Sequence, residues 1–161
     1  MKIKFISTAL KTSLLSLSMI FCVSTLVASP AYADITEASV QRFANQLSQA
    51  ANQKNVNRIA QMVDDDVLIS LSRNGKSTTL NKASYLRLLQ TNWSKTSNYH
   101  YEIVVNNVVI SGNQAKADIQ TVETLTENGK PERLVTSSRA TFGSTNSDVI
   151  LLRAVSQLTI D

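Results

Sequence analysis

Between Thr36 and Thr159 the spacing of apolar residues changes from a helical period to an alternating one, and that change divides the chain. In the first part Val40, Phe43, Ala44, Leu47, Ala50 and Ala51 recur at three- and four-residue intervals, the single apolar stripe of an amphipathic helix. Thr36 is placed to cap its start, and Glu37 sits in the first turn, where a negative charge favours the helix dipole. A polar break at Lys54-Asn55 precedes a shorter stripe, Val56, Ile59, Ala60 and Val63, which predicts a second helix capped by Asn55 and ended by Asp64-Asp65-Asp66. Residues 67–72 then read as a short strand that turns at Arg73-Asn74-Gly75-Lys76. Asn81 caps a third helix, with Leu80 and Tyr85 spaced as a hydrophobic staple, and its stripe of Tyr85, Leu86, Leu89 and Trp93 runs to about Lys95.

From Tyr99 the pattern alternates and Val, Ile and Thr become frequent, which predicts four strands over residues 99–111, 114–127, 132–142 and 149–159. Their connections, Gly112-Asn113, Asn128-Gly129-Lys130-Pro131 and residues 143–147, are rich in turn formers. Parallel neighbours need long crossovers, so connections this short imply an antiparallel meander. The expected class is α+β in one domain.

The amino end follows another logic. Lys2, Lys4 and Lys11 lead into a mostly apolar run from Thr12 to Val27, and Ala31 and Ala33 form an A-x-A cleavage site. The run is too short and too rich in Ser and Thr for a span of about 20 apolar residues, so residues 1–33 are expected to be a removable secretory signal. Met19-Ile20-Phe21 before Cys22 do not fit a lipidation site. Cleavage after Ala33 leaves a cysteine-free domain, residues 34–161, which excludes disulfides, thiol catalysis and cysteine–zinc sites. It also changes the charge: the full chain carries +4, but the mature part has thirteen basic and twelve acidic residues. The mature domain is therefore nearly neutral, without the basic, aromatic-interleaved patch expected of a nucleic-acid binder. It is expected to be periplasmic or secreted and not membrane-spanning.

Two amino-terminal helices, a short strand, a third helix and a four-stranded meander resemble the NTF2-like (SnoaL-like) superfamily. The local likeness is strongest where Gln49-Ala50-Ala51-Asn52-Gln53-Lys54-Asn55-Val56-Asn57-Arg58-Ile59-Ala60 runs into Asp64-Asp65-Asp66-Val67. The resemblance implies a cone of three helices packed on a curved antiparallel sheet, with a pocket between them. It also implies a range of uses: isomerisation, dehydration or cyclisation, holding an apolar small molecule, service in an envelope or secretion assembly, and dimerisation through the exposed sheet face.

The residues give that pocket limited chemistry. Along Ala115, Ala117, Ile119, Thr121, Glu123 and Leu125 one face is mostly apolar, so alternation aims Glu123 at the helix-covered side, where burial would make it a base. The competing expectation, favoured by ordinary cross-strand pairing, puts Glu123 at the rim, solvated or paired with Arg139 or Arg133. Tyr85, Trp93 and Tyr101 are expected as pocket lining or core, with phenolic hydroxyls as donors, and Ser138, Thr136 and Ser156 as polar lining. The single histidine, His100, falls on the polar face of its strand unless Asn106-Asn107 form a bulge. Asp64–Asp66 lack the spacing of a calcium loop, and Asn92-Trp93-Ser94, a glycosylation sequon, falls within a helix. No metal site and no cofactor are expected. The favoured function is a non-catalytic module for a small apolar ligand or an envelope protein, homodimeric through the outer sheet face. The alternatives are an isomerase or hydro-lyase with Glu123 as base, and an accessory part of an envelope assembly.

Overall fold

The computed structural model describes residues 34–145 and 148–160, so the expected leader, its cleavage point and Cys22 lie outside the described residues. Helix α1 (Glu37–Asn52) begins with a reciprocal cap: Ser39 N–H donates to Thr36 Oγ1 at 3.1 Å, and Thr36 N–H donates to Ser39 Oγ at 2.8 Å. Two backbone donors that the first helical turn would leave unpaired are thus satisfied. Asn55 caps α2 (Val56–Met62) and Asn81 caps α3 (Lys82–Lys95), each accepting from the N–H three residues on at 3.0 Å.

One expected boundary is corrected. Helix α2 stops at Met62 and strand β1 (Val63–Arg73) follows directly, so Asp64–Asp66 belong to the strand and do not end the helix. Extended backbone lets Val63 and Val67 both reach the core while Asp65 and Asp66 stay exposed. Asp64 Oδ1 accepts the Asp66 N–H at 2.9 Å, where the pairing of β1 shifts between Val63 and Leu68. Asp65 binds Lys82 Nζ at 2.7 Å, which holds its carboxyl below the usual carboxylate range.

A short strand absent from the sequence reading, β2 (Lys76–Leu80), returns antiparallel to β1. The meander then follows as β3 (Thr96–Ser111), β4 (Gln114–Glu127), β5 (Lys130–Ser144) and β6 (Val149–Ile160), with antiparallel neighbours throughout. The six strands lie in the order β2-β1-β6-β5-β4-β3, and β1 runs parallel to β6, which makes the sheet mixed. Its class is α+β, three helices on a six-stranded sheet. The bulge expected at Asn106-Asn107 is present: Asn107 has φ +53° and the register shifts between Asn106 and Val109.

The main core fills one end of the space between α1 and the sheet. Phe43 of α1 meets Phe142 of β5 edge to face, ring centroids 5.2 Å apart, and Ala115, Ala117 and Ala140 around them are small enough to admit both rings. A smaller cluster gathers Ala50, Ala51 and Ile59 around Trp93, with Tyr85, Tyr99 and Tyr101 packed against it. Between the clusters α1 guards the free edge of β3. Gln41 Nε2 donates to Val105 O at 3.2 Å and Ser48 Oγ donates to Tyr101 O at 3.0 Å. Asn52 both accepts from Tyr101 N–H at 2.8 Å and donates to Tyr101 O at 2.9 Å. These side chains satisfy backbone groups that a neighbouring strand would otherwise pair.

Candidate functional site

A cavity of about 670 Å³ lies between α1, α3 and the inner face of the sheet. Its walls are mainly Leu, Ile, Ala and aromatic carbons, with Phe43, Leu47, Ile59, Leu89 and Leu151 among them. The residues expected as pocket lining all border it, Tyr85 and Trp93 from α3, Tyr101 from β3 and Ser138 from β5, and Glu123 of β4 borders it as well. Alternation explains the sheet's share, because Tyr101 and Glu123 are direct cross-strand partners and so project to the same side.

The competing expectation offered Arg139 or Arg133 as a partner for Glu123, and the pairing with Arg139 is not formed. Arg139 reaches Asp118 at 3.4 Å, and both side chains are well exposed, so this pair lies apart from the half-buried Glu123. Glu123 Oε2 instead accepts a hydrogen bond from the Tyr99 hydroxyl at 3.0 Å. Burial raises the Glu123 pKa, and the Tyr99 bond pulls it partly back.

The tyrosines are shifted in the direction that keeps them donors. Burial, then the nearby Glu123 carboxylate, pushes Tyr85 up to about 12. Tyr99 is raised for the same two reasons in the same order. Tyr101 is raised well above its ordinary value by burial and by Tyr85, Glu123 and Tyr99 together, while the Thr121 hydroxyl beside it acts in the opposite direction. A negative charge on any phenolic oxygen would be poorly solvated here and would face the carboxylate, so all three stay protonated near neutral pH.

Tyr99 is the member that sequence reasoning missed as a polar group. Its partnership with Glu123 depends on α3 passing into β3 without a loop. Lys54 secures that junction. Its Nζ donates to Trp93 O at 3.1 Å and to Thr96 O at 2.9 Å, and lies 5.7 Å from the Tyr99 ring centroid. A cation at the carboxyl end of α3 meets unpaired carbonyls and the negative end of the helix dipole. Trp93 packs edge-on against Tyr99, centroids 6.0 Å apart, which fixes the ring that reaches Glu123.

Ser138 is part of a second, smaller polar patch. Its hydroxyl donates to Ser156 Oγ at 2.8 Å, and both residues line the cavity with Thr121 and Thr136. His100 is not in the cavity. It is exposed on the outer face, with Nε2 3.2 Å from Glu102 Oε1. Asn92 lies at the cavity wall on α3 and is exposed.

In chemical terms the site is an apolar chamber with one carboxylate, three protonated phenols and a few hydroxyls. Residues 34–161 contain three tyrosines and one tryptophan, and all four line this chamber. Such a set can orient a ligand oxygen by hydrogen bonds, and its carboxylate can take up or deliver a proton.

Neither the family models nor the curated proteins give a match to the chain. Solved structures do. A conserved protein from Planctomyces limnophilus DSM 3776 superposes with TM-score 0.69 at 15% identity, covering 78% of this chain and 97% of that one. A ketosteroid isomerase-like protein from Erwinia carotovora atroseptica SCRI1043 superposes with TM-score 0.61 at 15% identity, over 75% and 94% of the two chains. An NTF2-like protein from Cytophaga hutchinsonii ATCC 33406 gives TM-score 0.60 at 10% identity, over 78% and 100%. At such identities the likeness speaks for the backbone alone. Helix order, sheet order, the chamber between helices and sheet, and these superpositions together show that the chain has the NTF2-like fold.

Proposed function

We propose that this is an exported domain that binds a small, largely apolar molecule bearing at least one hydrogen-bonding oxygen. One observation carries the reading: a largely apolar chamber of 670 Å³ holds a polar cluster at Glu123, with the Tyr99 hydroxyl 3.0 Å from its carboxylate and Tyr101 directly opposite on the neighbouring strand. A volume of that size lies within the range of small-molecule pockets, roughly 300–1,000 Å³. Export is supported by the basic, apolar and A-x-A segments that precede Asp34. Dimerisation is supported by Val104 and Val155, half-exposed on the outer face of the sheet.

Native mass spectrometry of the protein isolated from its own compartment tests all three points. The expected result is the mass of residues 34–161, as a dimer, with a ligand of a few hundred daltons released on unfolding. A preparation free of ligand whose melting temperature responds to none of a broad panel of apolar alcohols, ketones and acids would refute the binding role.

A second reading has its own support. A half-buried carboxylate with raised pKa beside protonated tyrosines is the equipment for removing a proton next to a carbonyl, with Glu123 as base and Tyr85 or Tyr101 donating to the developing oxyanion. Isomerisation or elimination of water from a small carbonyl compound would follow. The check is solvent deuterium exchange at the α-carbon of the bound ligand, which must occur with the wild type and stop in Glu123→Gln. Binding without exchange leaves the domain a carrier or sensor.

A further inference from the structure

The rim of the chamber carries a charge arrangement that the Glu123 centre does not use. Strands β1 and β2 are joined by Asn74-Gly75, with φ of +50° and +74°. Two central residues in the left-handed region form the tight hairpin loop for which Asn-Gly is the preferred sequence. A two-residue loop fixes the register, and it makes Arg73 and Lys76 direct cross-strand partners. Their side chains therefore leave the hairpin on the same side, and both line the mouth of the chamber.

Two like charges in that relation repel. Among the described residues neither side chain forms a hydrogen bond or ion pair that would offset the repulsion. Glu123, the only carboxylate lining the chamber among the described residues, does not serve: it is bonded to Tyr99, and β6 and β5 stand between β1 and its own strand β4. At strand spacings of about 4.8 Å that separation is roughly 14 Å around the sheet. The lining also includes the apolar side chains of Leu88, Leu134 and Leu158.

We propose that Arg73 and Lys76 hold the anionic head of an amphipathic ligand, an organic acid whose apolar body fills the chamber. This inference rests on the reading of the chamber as a ligand pocket and adds the class of ligand. An anion between the two cations removes their mutual repulsion and gains two charge-assisted contacts. The tight turn fixes the two backbone positions, so binding has only the two side chains to order. The far end of such a ligand would then lie toward Glu123 and the tyrosines.

The test compares three probes of equal apolar length, decanoate, decanol and decyltrimethylammonium, titrated against the protein. Trp93, the chain's only tryptophan, lines the chamber and reports binding by its fluorescence. Decanoate should bind about five- to tenfold more tightly than decanol, the range expected of two rim ion pairs, and raised salt should shrink the gap. The cationic probe should bind most weakly. Arg73→Gln with Lys76→Gln should abolish the preference, bringing decanoate affinity down to that of decanol.

Equal binding of decanoate and decanol, or a preference that survives the double substitution, overturns the anion clamp while the pocket stands. Failure of all three probes removes the pocket reading and the clamp with it. Thermal unfolding gives a readout that needs no ligand: the double variant should melt at the same or a higher temperature, because a repulsion has been relieved. A clear loss of stability would show that the two cations have a favourable partner within the protein and would refute the premise.

Discussion

The two ends of the space under the helices are built from the same strands and do opposite things. At one end Phe43 and Phe142 interlock over Ala115, Ala117 and Ala140, and Phe43 and Ala140 also form the boundary with the chamber. At the other end the same β4 and β5 present Thr121, Glu123, Thr136 and Ser138, and the aromatic rings stand around a chamber. The difference lies in what faces the sheet. Where α1 lies against it, small residues let large rings from both layers meet. Toward α3 and the β1–β2 hairpin, polar side chains on the sheet face tyrosine hydroxyls, and the layers stand apart. One end supplies stability and the other supplies chemistry.

The sharpest way to break this comparison is Phe142→Ala. It removes a fully buried ring from the packed end and should cost about 3–5 kcal/mol in denaturant unfolding. Decanoate affinity of the fraction that remains folded should change less than twofold. A large change in affinity would mean that the two ends are coupled.

Lys54→Met should have the next largest effect. It keeps the aliphatic stem but loses both carbonyl contacts at the end of α3, for about 1–2 kcal/mol of stability. Because those contacts hold the Trp93–Tyr99 junction, the Trp93 emission spectrum should shift as well. Loss of stability with an unaltered spectrum would confine Lys54 to capping.

Tyr99→Phe removes one hydroxyl and should cost about 1 kcal/mol. Its more telling consequence is electrostatic. The Tyr99 bond is what lowers the Glu123 pKa against the effect of burial, so the variant's Glu123 should titrate at higher pH in carboxyl-resolved NMR. A downward shift would mean that Tyr99 does not stabilise the ionised form.

The smallest expected effect depends on pH. Because the folded-state pKa of Glu123 is raised above 4.5, the native protein holds this proton more tightly than the unfolded chain does. Stability contributed by the group is then fully present below 4.5 and falls as pH rises through the folded-state pKa. Glu123→Gln should therefore raise the melting temperature at pH 7 and leave it nearly unchanged at pH 4. An equal gain at both values would trace the effect to packing rather than to charge.

Much of the fold was legible in the sequence because it rests on local rules. Thr36, Asn55 and Asn81 each announce a helix start through a side-chain oxygen within reach of the N–H three residues on. The turns Gly112-Asn113 and Asn128-Gly129 separate β3, β4 and β5, and alternation set the face of Glu123 and Tyr101 correctly. The Asp64–Asp66 boundary was misread because three adjacent carboxylates suggest a helix end, whereas burial of Val63 and Val67 draws the backbone into β1.

What only the tertiary structure decided are the relations between residues distant in the chain. Periodicity could not say whether Glu123 meets Arg139 or Tyr99, since that depends on the curl of the sheet and on Lys54 fixing the start of β3. It could not show that the Arg73–Lys76 turn closes over the same chamber, because β1 reaches its place through parallel pairing with β6, the last strand of the chain. Secondary structure follows from each residue's near neighbours. A site depends on which surfaces the whole chain brings together, and burial of the core decides that for all of them at once.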